Sequence, residues 1–196
     1  MKALHNISYG LYVLTAKTLN PNGCIINTLI QLTSSPKQVA ITVNKENFTT
    51  KMIEETGVFN VSILDETTSF DLIKHFGFIS GKSSDKFLNF KDFALAQNGV
   101  PYLTKHANSY ISAVVKQKID VGSHIMFVAE VTDDVVLGNE KSLTYAKYLS
   151  DLKKPLNQMQ GKYRCKVCGY VYEGNQLPDD FICPICKHPA EDFELI

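Results

Sequence analysis

Short apolar runs alternate with polar breaks along the first half of the chain, and most of them repeat with the period of a strand. Residues 9–18, YGLYVLTAKT, are apolar on both faces and rich in β-formers, which predicts a strand buried on both sides. Asn20-Pro21-Asn22-Gly23 reads as a turn, with Gly23 able to take positive φ. Residues 24–32 read as the next strand, Ser34-Ser35-Pro36 interrupts it, and residues 38–44 alternate as another. The period then changes. Residues 48–55 have helical spacing, with Asn47, Thr49 and Thr50 as candidate caps. Residues 58–64 predict a strand, 69–76 a short helix and 80–84 a polar loop. Two long β-type runs, 110–119 and 124–131, are joined by Asp120-Val121-Gly122 as a hairpin. Strands dominate, so the fold class is mainly β, a closed barrel with peripheral helices rather than a doubly wound sheet.

Near Ser150 the pattern fades. Residues 151–161, DLKKPLNQMQG, are polar, lack a period and contain Pro155, and they predict a linker between a domain at 1–150 and a second at 162–196. The second is too short for a large core, and domains of that size usually need a metal or disulfides. Four of the five cysteines fall inside it, as Cys165-x-x-Cys168 and Cys183-x-x-Cys186. A two-residue gap lets a tight turn aim both sulfurs at one ion, and a second such turn completes a tetrahedron of thiolates. Gly169 follows the first pair, where positive φ is useful. Two disulfides, or cysteines packed as core, are the alternative, less suited to the compartment and the spacing. A tetrahedral four-sulfur set accepts zinc or iron, and spacing alone leaves that choice open. Cys24 stands apart and reads as a small buried hydrophobe.

Lys plus Arg and Asp plus Glu both count 20, so a chain of net charge zero has no bulk attraction to nucleic acid or an anionic membrane. No apolar run is long enough to span a bilayer, and MKALHNISYG lacks the layout of a signal peptide. A cytoplasmic location is therefore expected. Residues 1–150 contain no nucleophile triad, P-loop or Gly-x-Gly-x-x-Gly. They do contain polar residues at strand ends and loops: Asn27 and Thr28, Thr33, Ser34 and Ser35, Asn44 and Lys45, Asn47, Thr49 and Thr50, and the stretch from Ser80 to Lys86. These could hydrogen-bond an anionic ligand, and Thr49 and Thr50 near a helix start would suit a phosphate. Capping and turn formation explain several of them equally well.

Two resemblances sharpen this reading. Cys168-Gly169-Tyr170 and the run Leu177-Pro178-Asp179-Asp180-Phe181-Ile182-Cys183-Pro184 ending on Cys186 resemble rubredoxin. Tyr163, Tyr170, Tyr172, Phe181 and Phe193 would then form an aromatic core around one iron that carries one electron at a time. The stretch between the cysteine pairs is short, as in the module that ends rubrerythrins. Phe181 replaces a common Trp, and Lys187 stands where Gly usually follows the second pair, so some backbone strain is expected there.

Residues 1–150 are similar, in order, to the flavin reductase-like, FMN-binding split-barrel family. The match runs through Ile7-Ser8-Tyr9-Gly10-Leu11, Asn22-Gly23, Asn27-Thr28, Thr33-Ser34-Ser35-Pro36, Asn44 to Thr49, Gly57 to Ser62, Ser80-Gly81, Asp85-Lys86-Phe87 and Asp120 to His124. That resemblance implies a homodimer with FMN near the subunit interface. Thr28 and Thr33 to Ser35 would line the isoalloxazine, and Asn47, Thr49, Thr50 and Lys86 would serve the phosphate. His124 would sit near a docked nicotinamide; a lone His on a strand is otherwise structural. Tyr145 and Tyr148 would approach the flavin or simply pack. The fusion resembles high-molecular-weight rubredoxins, which implies an NAD(P)H:flavin/rubredoxin oxidoreductase passing electrons to a flavodiiron protein that reduces oxygen or nitric oxide. Passive relay between proteins, or a zinc-stapled flavin-binding module, are the alternatives.

Overall fold

A computed structural model describes residues 3–153, 161–174 and 177–196. The chain forms two compact units, 1–152 and 153–196. In the first, strands β1 (Tyr12–Lys17), β2 (Pro21–Ile26), β3 (Leu29–Ser34), β4 (Lys37–Asn44), β5 (Val58–Leu64), β8 (Ala107–Asp120) and β9 (His124–Val136) make one antiparallel sheet in the order β2-β1-β5-β8-β9-β4-β3. Two short strands, β6 (Phe93–Leu95) and β7 (Pro101–Leu103), pair separately. Helix α1 (Phe48–Thr56) precedes β5, and helix α2 (Phe70–Gly77) follows it.

The strand order explains the closure. β2 and β3 lie at opposite edges of the sheet, yet only Asn27 and Thr28 separate them. Laid flat, seven strands would hold the two edges roughly 29 Å apart, at ~4.8 Å per step. The link from Ile26 to Leu29 can reach only about 11 Å. The sheet therefore curls into a barrel that is split between β2 and β3.

Burial follows from that curl. Leu14 and Ala16 of β1 face the barrel interior with Ile41, Val43, Phe59, Val61 and Phe127. Val13 of the same strand, with Leu11 just before it, faces an outer layer formed by Leu72, Ile73 and Phe76 of α2 together with Phe87. This is why the first run of the sequence is apolar on both faces. Each of these side chains larger than Ala16 contributes roughly 1.5–3 kcal/mol by burial. On β5, Asn60 and Ser62 are also buried and hold the loop around β7: the Asn60 side-chain amide donates to Val100 O at 2.8 Å, and the Ser62 hydroxyl accepts from Leu103 N at 3.0 Å.

Three expectations need correction. Residues 20–23 are not the turn: Pro21 pairs with Lys17 and Gly23 with Thr15, so the chain reverses over residues 18–20. Gly23 is absent from the positive-φ glycines, and a Cβ there would lie 3.0 Å from Leu14 O and 3.2 Å from the Phe76 ring, so close approach is what requires it. The run 24–32 is two strands broken at Asn27-Thr28, because the barrel splits there. Of the expected linker 151–161, Asp151 and Leu152 belong to a π-helical turn (Tyr148–Leu152), Gly161 opens β10 (Gly161–Cys165), and 154–160 lie outside the described residues.

The second unit is a three-stranded sheet in the order β11 (Val171–Gly174), β10, β12 (Phe193–Leu195). Tyr163, Tyr170, Tyr172, Leu177, Phe181 and Phe193 pack around Cys165 and Cys183.

Candidate functional sites: a four-sulfur centre and an anion cavity

Two turns of one design build the sulfur site. After the first pair, Gly169 takes φ 76° and donates its N–H to Cys165 O at 2.8 Å. After the second, Lys187 takes φ 64° and donates to Cys183 O at 3.0 Å, so a side-chain-bearing residue occupies the strained position where the sequence anticipated strain. The four sulfurs lie within 4.8 Å of one another, with Cys165 to Cys186 and Cys168 to Cys183 at 3.5 Å. A metal about 2.3 Å from each of four tetrahedral sulfurs requires sulfur separations of about 3.8 Å. The set therefore fits one ion held by thiolates, and all five cysteines are free of disulfides. Cys165 and Cys183 are buried in the aromatic core, while Cys168 is exposed and Cys186 half-buried. One edge of the tetrahedron thus faces solvent, where electrons can leave or enter.

The barrel carries a polar cavity of about 220 Å³ between β2, α1 and the loop after α2, lined in part by Asn22, Asn47, Thr49, Ser80 and Lys86. Lys86 is only 4% exposed. Its ammonium donates to Gly23 O at 2.7 Å and Phe76 O at 2.9 Å, which uses two of its three donors. Burial lowers its pKa from the ordinary lysine value, opposed by interaction with Cys24. Burial likewise pushes the Cys24 thiol up to about 11, against the pull of the Thr49 hydroxyl and the Lys86 charge. Cys24 is therefore a protonated core residue, as expected.

Helix α1 opens onto the same cavity. Asn47 occupies its N-cap position, but its side chain makes no capping bond. Thr49 and Thr50 lie inside the helix and do not cap it; the Thr50 hydroxyl instead donates to Asn44 O at 2.7 Å. The first N–H groups of the helix, beside a buried ammonium, could accept an anionic group such as a phosphate. Glu46 also lines the cavity, but its carboxylate turns outward toward Lys82 at 3.7 Å.

The other expected residues lie on neighbouring strands. Asn27 and Thr28 stand at the split, with the Thr28 hydroxyl donating to Thr42 O at 3.0 Å. Thr33, Ser34 and Ser35 lead into the β3–β4 hairpin on the outer edge strand, where the Thr33 hydroxyl bonds Pro36 O. Lys45 is ion-paired with Asp120 at 2.7 Å. His124 is the cross-strand partner of Asn44, which lines the anion cavity, and its Nδ1 lies 2.8 Å from the Ser123 hydroxyl. Tyr148 is buried and stacks on Phe70, and Tyr145 meets Tyr9 edge-on, so both pack. Sequence reasoning missed Asn22 as a cavity residue because its neighbours read as a turn.

The Flavin reductase like domain family matches residues 4–164, and the Rubrerythrin, rubredoxin-like domain family matches residues 163–194. A high molecular weight rubredoxin of Moorella thermoacetica is 35% identical, covering 100% of this chain and 99% of that protein. A ferric-chelate reductase (NAD(P)H) of Archaeoglobus fulgidus is 41% identical over 76% of this chain and 88% of its own length. Among solved structures, an FMN-binding protein from Thermus thermophilus superposes with a TM-score of 0.66 at 21% identity, covering 74% of this chain and 85% of that one.

Proposed function

Since this chain belongs to the flavin reductase-like family and carries a rubredoxin-like domain behind its barrel, we propose that it is an NAD(P)H-dependent flavo-rubredoxin. It takes hydride from NAD(P)H in the barrel and releases single electrons through an Fe(Cys)4 centre to a protein acceptor such as a flavodiiron oxygen or nitric oxide reductase. The observation that carries this reading is the four-sulfur site in one chain with a flavin reductase-type barrel. A flavin, when bound, supplies the exchange between two-electron and one-electron chemistry. Iron, when bound, accepts and gives one electron.

The chain's own residues do the rest. Lys86, Asn47 and the start of α1 hold the FMN phosphate in the anion cavity. Thr28, with Thr33, Ser34 and Ser35 on the outer edge strand, lines the ring, and a second copy of the chain covers that edge in a homodimer. His124 positions the nicotinamide. Because both units are on one chain, transfer between them is intramolecular and does not depend on protein concentration. No helix among the described residues is long and apolar enough to cross a membrane.

Anaerobic titration of the full chain with NADH, following flavin and iron absorbance separately, tests the proposal. Both bands bleach, the flavin first, and metal analysis finds one iron and one FMN per chain. Iron bleaching in flavin-free protein sinks it. The relationship to the ferric-chelate reductase supports a second reading, in which the barrel hands electrons directly to a ferric chelate. That activity would survive loss of the cysteine cluster.

A further inference from the structure

Helix α2 ends at the anion cavity, and its last turn holds Lys86 at two points. Phe76 O, one of the carbonyls that a helix leaves unpaired at its C-terminus, accepts from the Lys86 ammonium at 2.9 Å. The negative end of the helix dipole favours a cation there. The preceding residue, His75, holds the main chain of the same lysine: its Nε2 lies 2.7 Å from Lys86 O. A carbonyl can only accept, so Nε2 carries the hydrogen and donates.

His75 is itself fixed. Its ring stacks on Phe90 with centroids 5.5 Å apart and planes 19° from parallel, and it meets Phe76 edge-on at 4.8 Å. On the other side of Lys86, the Asp85 carboxylate accepts from Phe87 N at 2.9 Å and Leu88 N at 3.1 Å, and Phe87 is buried against Phe76. The main chain at Lys86 is therefore pinned by His75 and by this turn, while Gly23 O and Phe76 O hold its ammonium. A free lysine side chain loses much rotamer freedom when it is fixed, and here the fold meets that cost before an anion arrives. No carboxylate pairs with this ammonium among the described residues, which leaves its charge for a ligand.

We infer that His75 is a positioning residue for the flavin phosphate, which it serves by holding Lys86 O so that the ammonium stands ready in the cavity. The inference rests on the assignment of the anion cavity to that phosphate. His75 does not line the cavity, so it acts through Lys86 and not by contact with the ligand. A His75 that merely supported the barrel would serve every flavin alike. One that positions Lys86 matters only to a ligand that carries a phosphate.

Flavin-free full-length protein is titrated with FMN and with riboflavin, which lacks the phosphate, following flavin fluorescence in the wild type, His75→Phe and His75→Gln. Phe keeps a ring against Phe90 and Phe76 but has no donor; Gln keeps an amide donor but has no ring. The wild type prefers FMN to riboflavin. His75→Phe reduces that preference about tenfold, by weakening FMN while leaving riboflavin unchanged. His75→Gln holds the preference within about threefold of the wild type. Riboflavin affinity serves as the control for folding. Equal losses for both flavins, or an unchanged preference in His75→Phe, overturn the inference. So does a His75→Gln variant that loses as much preference as His75→Phe. A wild type that binds the two flavins equally, or binds neither, overturns the phosphate assignment itself.

Discussion

Single residues divide between those that hold the fold and those that have a donor to spare. Asn47 belongs to the second group. Replacing a working N-cap by Ala costs about 0.5–2 kcal/mol. The Asn47 side chain makes no capping bond, so Asn47→Ala should change the chemical denaturation midpoint of the flavin-free protein very little while weakening FMN binding. A marked loss of stability with unchanged FMN affinity would make Asn47 structural. Lys86 belongs to both groups. Lys86→Met leaves two buried carbonyls, Gly23 O and Phe76 O, without their charged donor, a loss of roughly 1.5–3 kcal/mol for each such bond. It should lower stability and FMN affinity together, so it cannot test phosphate binding alone. Tyr110 sets an alkaline limit. Burial, then its hydrogen bond to Asp133, raises its pKa to about 12. An unfolded chain would ionise the phenol near pH 10. The unfolded state then binds fewer protons, so this contribution is full below about pH 10 and is lost as pH rises through about 12. Denaturation midpoints of Tyr110→Phe should fall less steeply across that window than those of the wild type.

At the scale of elements, the two sulfur turns and the barrel edges differ in what they depend on. The second unit buries one small aromatic cluster on three short strands, which is too little apolar area for independent stability without its ion. Cys183→Ser, or removal of the metal by a chelator in denaturant, should abolish the ferric thiolate absorbance and the amide protection of β10 to β12. The barrel has its own core clusters, and its melting transition should persist with FMN bound. Loss of FMN together with iron would show that the two units do not fold independently. Helix α1 ends on Gly57 at φ 69°, with its N–H on Ile53 O at 2.8 Å and open space where a Cβ would be. Gly57→Ala should therefore cost only the left-handed strain, about 1–2 kcal/mol, with no clash to add to it.

The whole molecule places the proposed two-electron and one-electron sites in separate cores on one chain. The isolated barrel, residues 1–152, should be reduced by NADH when it holds flavin, and the isolated four-cysteine unit should stay oxidised. Cleavage between the units should make iron reduction slower and dependent on concentration, because an internal encounter becomes bimolecular. His124→Ala should slow flavin reduction by NADH and leave the following transfer to iron unchanged. Stopped-flow traces at the two wavelengths read both steps, and iron reduction ahead of flavin would reverse the assigned order.

Local pattern by itself determined the mainly β class, helix α1, strand β5, the β8–β9 hairpin and the metal-binding character of the four cysteines. Each depends on contacts a few residues apart, or on a spacing that one turn satisfies. Tertiary structure alone decided the rest. The break at Asn27-Thr28 exists because the sheet closes there, and nothing in the local run of β-formers from 24 to 32 encodes it. β6 and β7 are too short to show a period; β7 is held by Asn60 and Ser62 of a distant strand, and β6 pairs with β7. Lys86 meets Gly23 across 63 residues, so neither its buried ammonium nor the cavity it lines with Asn22 could be read from its neighbours in sequence. Periodicity reports which face of an element is apolar; only the closed fold brings together the polar groups that line a site.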